Sequence, residues 1–240
     1  MFLLTREVRF TENPASLGQF FRLQATLAGD PAPPTQYVLD IKKIDTAVRS
    51  RAFDLLADQP KPVGRLMLDL FDRLYNCWPP GVRLQSLVLF ANPYLSFSVI
   101  ESELPMVRLS KKFEFSAAHR LHNPKLTDDE NRRLFGKCNN PHGHGHNYEL
   151  QVTLVAQPAT DGSLFDVPAL EQIVGQTVLD RFDHRNLNTE LAEFREVIPT
   201  VENIAMTIYR LLKPKFSGAG SKLGSVTVWE TPKTWCEYAE

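Results

Sequence analysis

One order of elements is written twice along this chain, and that repetition constrains the fold more than any other feature. Leu23-Gln24-Ala25-Thr26-Leu27 resembles Leu150-Gln151-Val152-Thr153-Leu154, and Val38-Leu39-Asp40-Ile41 resembles Leu164-Phe165-Asp166-Val167. Near the ends of the halves, Val88-Leu89-Phe90-Ala91-Asn92-Pro93 resembles Thr227-Val228-Trp229-Glu230-Thr231-Pro232. The order of features is kept while the spacing drifts by loop insertion, as in a degenerate duplication.

Each half then reads alike. Two strands come first, over 6–10 and 20–28 in one half and over 107–116 and 148–156 in the other. The last of these alternates, with Leu150, Val152 and Leu154 on one face. A helix follows Asp40, with Ile41, Ile44 and Val48 on one side. Another follows Asp166, with Leu170, Ile173, Val174 and Val178. Each aspartate stands where an N-cap carboxylate meets free N–H groups. Second helices are predicted over 63–75 and 201–212, and strands over 84–90, 95–101, 223–230 and 234–238 close the halves. The pattern is ββααββ twice. It predicts an α+β protein with helices on one face of antiparallel sheets, a first domain over 1–104 and a second over 105–240.

Composition excludes several classes. Apolar residues make up 43% of the 240, enough to bury a core, so disorder is not the main state. A net charge of −1 leaves no basic excess for neutralising phosphates, so a nucleic-acid partner is not expected. No run of 18 apolar residues predicts a membrane span, and the start, MFLLTREVRF, carries Arg6 and Arg9 and does not read as a leader. Cys77, Cys138 and Cys236 lack CxxC spacing and point to free thiols in the cytoplasm.

All six histidines (His119, His122, His142, His144, His146 and His184) lie in the second half. His144 and His146 lead into the alternating strand, where residues two apart share a face, so both imidazoles can meet one metal ion. His119 closes the preceding predicted strand and is the natural third ligand of an open catalytic zinc site. A shifted pair, His142 with His144, is the alternative register, and His122 reads as a loop residue. The glycines between the histidines are expected to let a substrate approach the backbone. Cys138 sits in a polar Lys-Cys-Asn-Asn loop, where a nearby cation would favour its thiolate; a plain buried cysteine is the competing reading. Asp183 and His184 can form an oriented acid/base pair or simply cap a helix. Thr200 and Glu202 fall in the first turn of the last helix. Glu230 ends an apolar strand, either exposed or set to hold a ligand through paired N–H donors.

The motifs FSAAHRL (115–121), FGKCNNPHGHGHNY (135–148), DHRNLN (183–188), PTVEN (199–203) and VWETP (228–232) together resemble the 6-pyruvoyl-tetrahydropterin synthase family. That family includes the 6-carboxytetrahydropterin synthase of queuosine biosynthesis. The resemblance covers about 107–240 and implies the tunnelling fold, or T-fold. It implies zinc held by His119, His144 and His146, Cys138 as general base with Asp183 and His184 as catalytic partners, and Glu230 as pterin anchor supported by Thr200 and Glu202. The implied substrate is 7,8-dihydroneopterin triphosphate. Elimination of triphosphate gives the pyruvoyl product; carbon–carbon cleavage gives the carboxy product. Five residues between Cys138 and His144 match the pyruvoyl branch, and three between Cys138 and His142 match the queuosine branch.

The first half departs from the family. It has no histidine, Ala91 stands in the place of Glu230, and Pro62 and Gly64 stand where Thr200 and Glu202 would. An inert T-fold copy that serves assembly is expected, since T-fold units close into barrels by joining sheet edges, and the implied assembly is a homo-oligomer. A non-catalytic pterin- or purine-binding protein and another zinc lyase or hydrolase are the competing functions.

Overall fold

The computed structural model describes residues 1–11, 20–57, 61–217 and 220–240. By packing, the chain divides into two units. Met1–Ser110 with Val155–Leu164 forms one, and Lys111–Leu154 with Phe165–Glu240 forms the other.

In the first unit, strands β1 (Phe2–Thr11), β2 (Phe20–Gly29), β3 (Arg83–Asn92) and β4 (Leu95–Ile100) pair in that order, all antiparallel. Helices α1 (Ile41–Ala57) and α2 (Val63–Tyr75) lie between β2 and β3 in sequence. Asp40 starts α1 as expected, its Oδ1 accepting the Lys42 N–H at 2.9 Å. Ile44, Val48, Ala52 and Leu55 recur at helical spacing on the buried side of α1, and Met67, Leu70, Phe71 and Leu74 do so on α2. They are buried together with Leu23, Ala25, Leu27, Leu87 and Val99 of the sheet. Each such aliphatic side chain contributes about 1.5–3 kcal/mol by leaving water.

The first unit also takes in the start of β5 (Val107–His119), the last two residues of β6 (His144–Ala156) and the stretch that follows it. By packing, its limit in this stretch falls between Ser110 and Lys111, inside β5. Val107 and Leu109 bury their side chains, and Arg108 pairs with Glu103 at 2.6 Å, which ties the strand's beginning to the residues before it. Gly162 explains the second addition. Its backbone, at φ +84°, accepts the Arg65 N–H at 3.2 Å, and a Cβ on Gly64 would come within 2.7 Å of its oxygen. Gly64 is therefore a close-packing residue.

In the second unit the strand order is β5, β6, β8 (Ser221–Thr231), β9 (Thr234–Tyr238), with the two-residue β7 (Arg185–Asn186) parallel to β5 at Ala117 and Ala118. Asp166 caps α4 (Val167–Val174), accepting the Ala169 N–H at 3.0 Å. The single helix expected after Asp166 is interrupted. A wide, π-type turn over Gly175–Leu179 separates α4 from α5 (Asp180–Phe182). Gly175 followed by β-branched Thr177 and Val178 weakens the regular helix there. The turn leads through β7 into α6 (Leu187–Glu190). Thr200 caps α7 (Val201–Leu212), whose buried Ile204, Ala205, Ile208 and Leu212 mark its core face. One further helix, α3 (Asp128–Phe135), precedes β6 and starts with a Thr127–Glu130 capping box. No described helix is long and apolar enough to cross a membrane.

Candidate metal centre

The ends of β5 and β6 bring three imidazoles to one point. His119, His144 and His146 offer ligand nitrogens that all lie within 4.8 Å of one another. His119 closes β5 and is fully buried; His144 and His146 open the neighbouring β6 on one face, as alternation requires. Gly143 makes the approach feasible. Its φ is +74°, and a Cβ there would stand 3.0 Å from the His119 carbonyl oxygen. At Gly143 the glycine thus serves the close passage of backbone past backbone. His142 is exposed in the turn before β6, so the register of the cluster is His144 with His146.

The protonation pattern follows from the partners. The Pro199 carbonyl can only accept, so His119 Nδ1, 2.7 Å away, carries the proton and donates it. That leaves the lone pair on Nε2, which lies 3.0 Å from His144 Nε2. His146 Nε2 is buried with no hydrogen-bond partner. Burial, followed by neighbouring imidazoles, holds His119 and His144 below the usual histidine range, against the opposing pull of Glu230. Three imidazoles with converging ring nitrogens, one oriented by a backbone carbonyl behind it, fit a nitrogen-ligated metal ion.

Glu230 belongs to the same cluster. Its Oε1 is 3.3 Å from His119 Nε2 and 3.8 Å from His146 Nε2, and its side chain is only 20% exposed. Tyr148, two residues beyond His146 on the same face, buries its ring against Phe115 and places its hydroxyl 3.4 Å from His119 Nδ1. Burial, followed by the nearby Glu230 side chain, pushes that phenol far up, so it stays protonated. Alternation in the sequence already aligns Tyr148 with the two histidines. The Pro199 carbonyl, being backbone, has no such signal.

The other expected residues occupy distinct places. Cys138 is half-buried in the short turn Gly136–Asn139, and its carbonyl accepts the Leu121 N–H at 2.9 Å. Asp183 and His184 pair at 2.9 Å through Oδ2 and Nδ1. Both are anchored to β5, because Ser116 N–H donates to Asp183 Oδ1 at 2.7 Å and the His184 N–H donates to the Ser116 carbonyl at 2.6 Å. The Ser116 N–H, and then His184, hold the Asp183 carboxyl below its usual range. His184 adopts φ +57°, an unfavourable conformation for a side-chain-bearing residue that costs on the order of 1–2 kcal/mol. An open cleft of about 440 Å³ is lined by His184 and His146 together with Ala117 and Asn147. Thr200 spends its hydroxyl on the Asn203 N–H at 3.4 Å, and Glu202 is exposed.

Comparisons with known proteins point to one family. The family model described as 6-pyruvoyl tetrahydropterin synthase matches residues 108–240. A putative 6-pyruvoyl tetrahydrobiopterin synthase of Caenorhabditis elegans is 43% identical over 136 residues, covering 56% of this chain and 96% of that protein. A 6-carboxy-5,6,7,8-tetrahydropterin synthase of Haemophilus influenzae is 29% identical over 154 residues, covering 56% of this chain and all of its own length (100%). The solved structure of the Caenorhabditis elegans 6-pyruvoyl tetrahydropterin synthase superposes with a TM-score of 0.54 at 40% identity, covering 57% of this chain and 96% of that one. The mixed α/β architecture with an antiparallel sheet matches the T-fold of that synthase. With more than half its length matched, the chain belongs to the 6-pyruvoyl tetrahydropterin synthase family.

Proposed function

We propose that this protein is a zinc-dependent pterin synthase that converts 7,8-dihydroneopterin triphosphate, with loss of triphosphate, into 6-pyruvoyl-tetrahydropterin. The observation that carries the reading is the convergence of three imidazoles beside the Glu230 side chain. His119, His144 and His146 would hold the zinc. When bound, zinc supplies Lewis acidity that activates the substrate's side-chain hydroxyls and the adjoining C–H bonds.

The remaining chemistry falls to side chains of the chain itself. Glu230 accepts hydrogen bonds from the 2-amino and ring N–H groups of the pterin, two donors facing two carboxylate oxygens. Its 3.3 Å separation from His119 supports a ring held against the metal-binding face. Thr200 and Glu202 support that anchor from the start of α7. Cys138 removes a proton from the substrate side chain as general base. Asp183, kept ionised by the Ser116 N–H, orients His184 through Nδ1 and leaves Nε2 to exchange protons with the substrate.

The pyruvoyl outcome is favoured by the cluster's register, which leaves five residues between Cys138 and His144, and by the names of the relatives of higher identity. Carbon–carbon cleavage to 6-carboxytetrahydropterin is the alternative product. The first unit is read as a degenerate T-fold copy, inert and used in assembly, on the strength of its matching element order. The assembly read from this plan is a homo-oligomer built by joining sheet edges. Three free cysteines among the described residues support a reducing, cytoplasmic setting.

Replacing Cys138 with alanine tests the reading. Turnover of the zinc-loaded protein should fall about 10²–10⁴-fold, the usual worth of a general base, while zinc content stays that of the parent. A fully active variant would remove Cys138 from the mechanism. A parent protein that binds a pterin but leaves it unchanged would replace synthesis with binding.

A further inference from the structure

Arg120 follows the buried ligand His119 directly, and its contacts reach the turn that carries Cys138. Its guanidinium forks onto Asn139. Nε donates to the Asn139 carbonyl and to Oδ1, both at 3.2 Å, and the second nitrogen donates to Oδ1 at 2.7 Å. Asn139 itself is 6% exposed, so the fork closes in a largely dry place. The backbone of Arg120 is clamped as well. Its N–H donates to Asn188 Oδ1 at 2.7 Å, and its carbonyl accepts from Asn188 Nδ2 at 3.0 Å. The next residue, Leu121, donates its N–H to the Cys138 carbonyl at 2.9 Å.

These bonds tie three segments that are far apart in sequence. Asn188 fixes the backbone immediately after His119. The guanidinium fixes the residue immediately after Cys138. Only a planar side chain with donors in fixed directions can grip a carbonyl and an amide oxygen together, a grip that a lysine ammonium does not reproduce.

We propose that Arg120 is a positioning residue that sets the placement of Cys138 relative to the metal-ligand strand, by gripping Asn139 while Asn188 holds its backbone. The inference rests on the reading of Cys138 as the base. Displacement of a reacting group by about 1 Å can cost about 10²-fold in rate. Loss of the grip therefore acts on turnover and leaves substrate binding and metal binding largely as they were.

The test compares Arg120→Lys, Asn139→Leu, Asn139→Asp and Cys138→Ala in the zinc-loaded 240-residue chain, with kcat, KM and zinc content measured on each. Arg120→Lys and Asn139→Leu should lower kcat about 10- to 100-fold, with KM changed less than about threefold and zinc content unaltered. Asn139→Asp keeps an acceptor for the fork and should recover at least about tenfold of what Asn139→Leu loses. Asn139→Leu breaks the grip from the other side and decides the matter if Arg120→Lys does not fold. Parental kcat in both grip variants, beside an inactive Cys138→Ala, would overturn the positioning role alone. Loss of zinc in the grip variants would overturn it too, by assigning Arg120 to the metal site. A fully active Cys138→Ala would overturn the base assignment, and the inference with it.

Discussion

The hairpin β3–β4 of the first unit and the hairpin β8–β9 of the second are built to one plan. Both are antiparallel, and both shift register near the turn, between Phe90 and Asn92 in one and between Trp229 and Thr231 in the other. The residue at the irregularity is exposed Ala91 in the first and half-buried Glu230 in the second. The starts of the second helices differ in the same way. Pro62 opens α2 without a side-chain cap, and Gly64 closes tightly on Gly162. Thr200 caps α7, and Glu202 stands exposed in its first turn. Similar strands and helices therefore form with quite different side chains at their irregular points. Chemistry, by contrast, needs particular side chains at those points.

The comparison can be broken most directly at the metal centre. Replacing His119 with alanine removes a fully buried ligand and should abolish both stoichiometric zinc binding and turnover, as metal analysis and a product assay would show. The helices α1 and α2 of the first unit should be untouched by this change. Retained zinc at parental stoichiometry would mean that the cluster is not the metal site.

Next in size is Gly64→Ala in the first unit. The new methyl would meet the Gly162 carbonyl oxygen at 2.7 Å and Pro158 at 2.9 Å. Overpacking of this kind costs about 1–3 kcal/mol, which chemical denaturation would read. At the matching place in the second unit, Glu202→Ala alters an exposed side chain, and a stability change within about 0.5 kcal/mol is expected. Equal effects at the two positions would contradict the packing role given to Gly64.

Thr200→Ala removes a helix cap and should destabilise the second unit by about 1 kcal/mol. Pro62→Ala removes no cap hydrogen bond and offers a control in the same denaturation experiment. The gentlest contrast is in pH. Folding holds His119 and His144 below their ordinary pKa, so the unfolded chain binds protons that the folded chain refuses. The metal-free protein keeps this stability above about pH 6.5 and loses it as the pH falls through the lower folded values. Melting temperatures across that range should show the slope, and the double variant His119→Gln/His144→Gln should flatten it. The first unit has no histidine, and its lowered carboxylates, Glu7 and Asp45 among them, act only at more acidic pH.

Much of this was legible in the sequence, for reasons specific to each element. The bounds of α2 and α7 coincide with their apolar periodicity, because Pro62 and Thr200 mark sharp starts. The histidine cluster was legible because alternation on β6 fixes which side chains share a face. The helix α3 was missed, although Thr127 and Glu130 carry a capping-box signal in plain view. The interruption over Gly175–Leu179 was missed because apolar spacing continues through it. The carbonyl of Pro199, the left-handed backbone of His184 and the approach of Glu230 to the histidines depend on segments 50 or more positions apart or on backbone geometry. Side-chain patterns along one strand or helix do not encode such contacts.

The most direct test is product analysis by mass spectrometry after the zinc-loaded protein is incubated anaerobically with 7,8-dihydroneopterin triphosphate. Formation of 6-pyruvoyl-tetrahydropterin with release of triphosphate is the predicted result. Recovery of unchanged substrate from zinc-replete protein would contradict it, and a 6-carboxy product with acetaldehyde would keep the zinc pterin synthase but reverse the choice of bond.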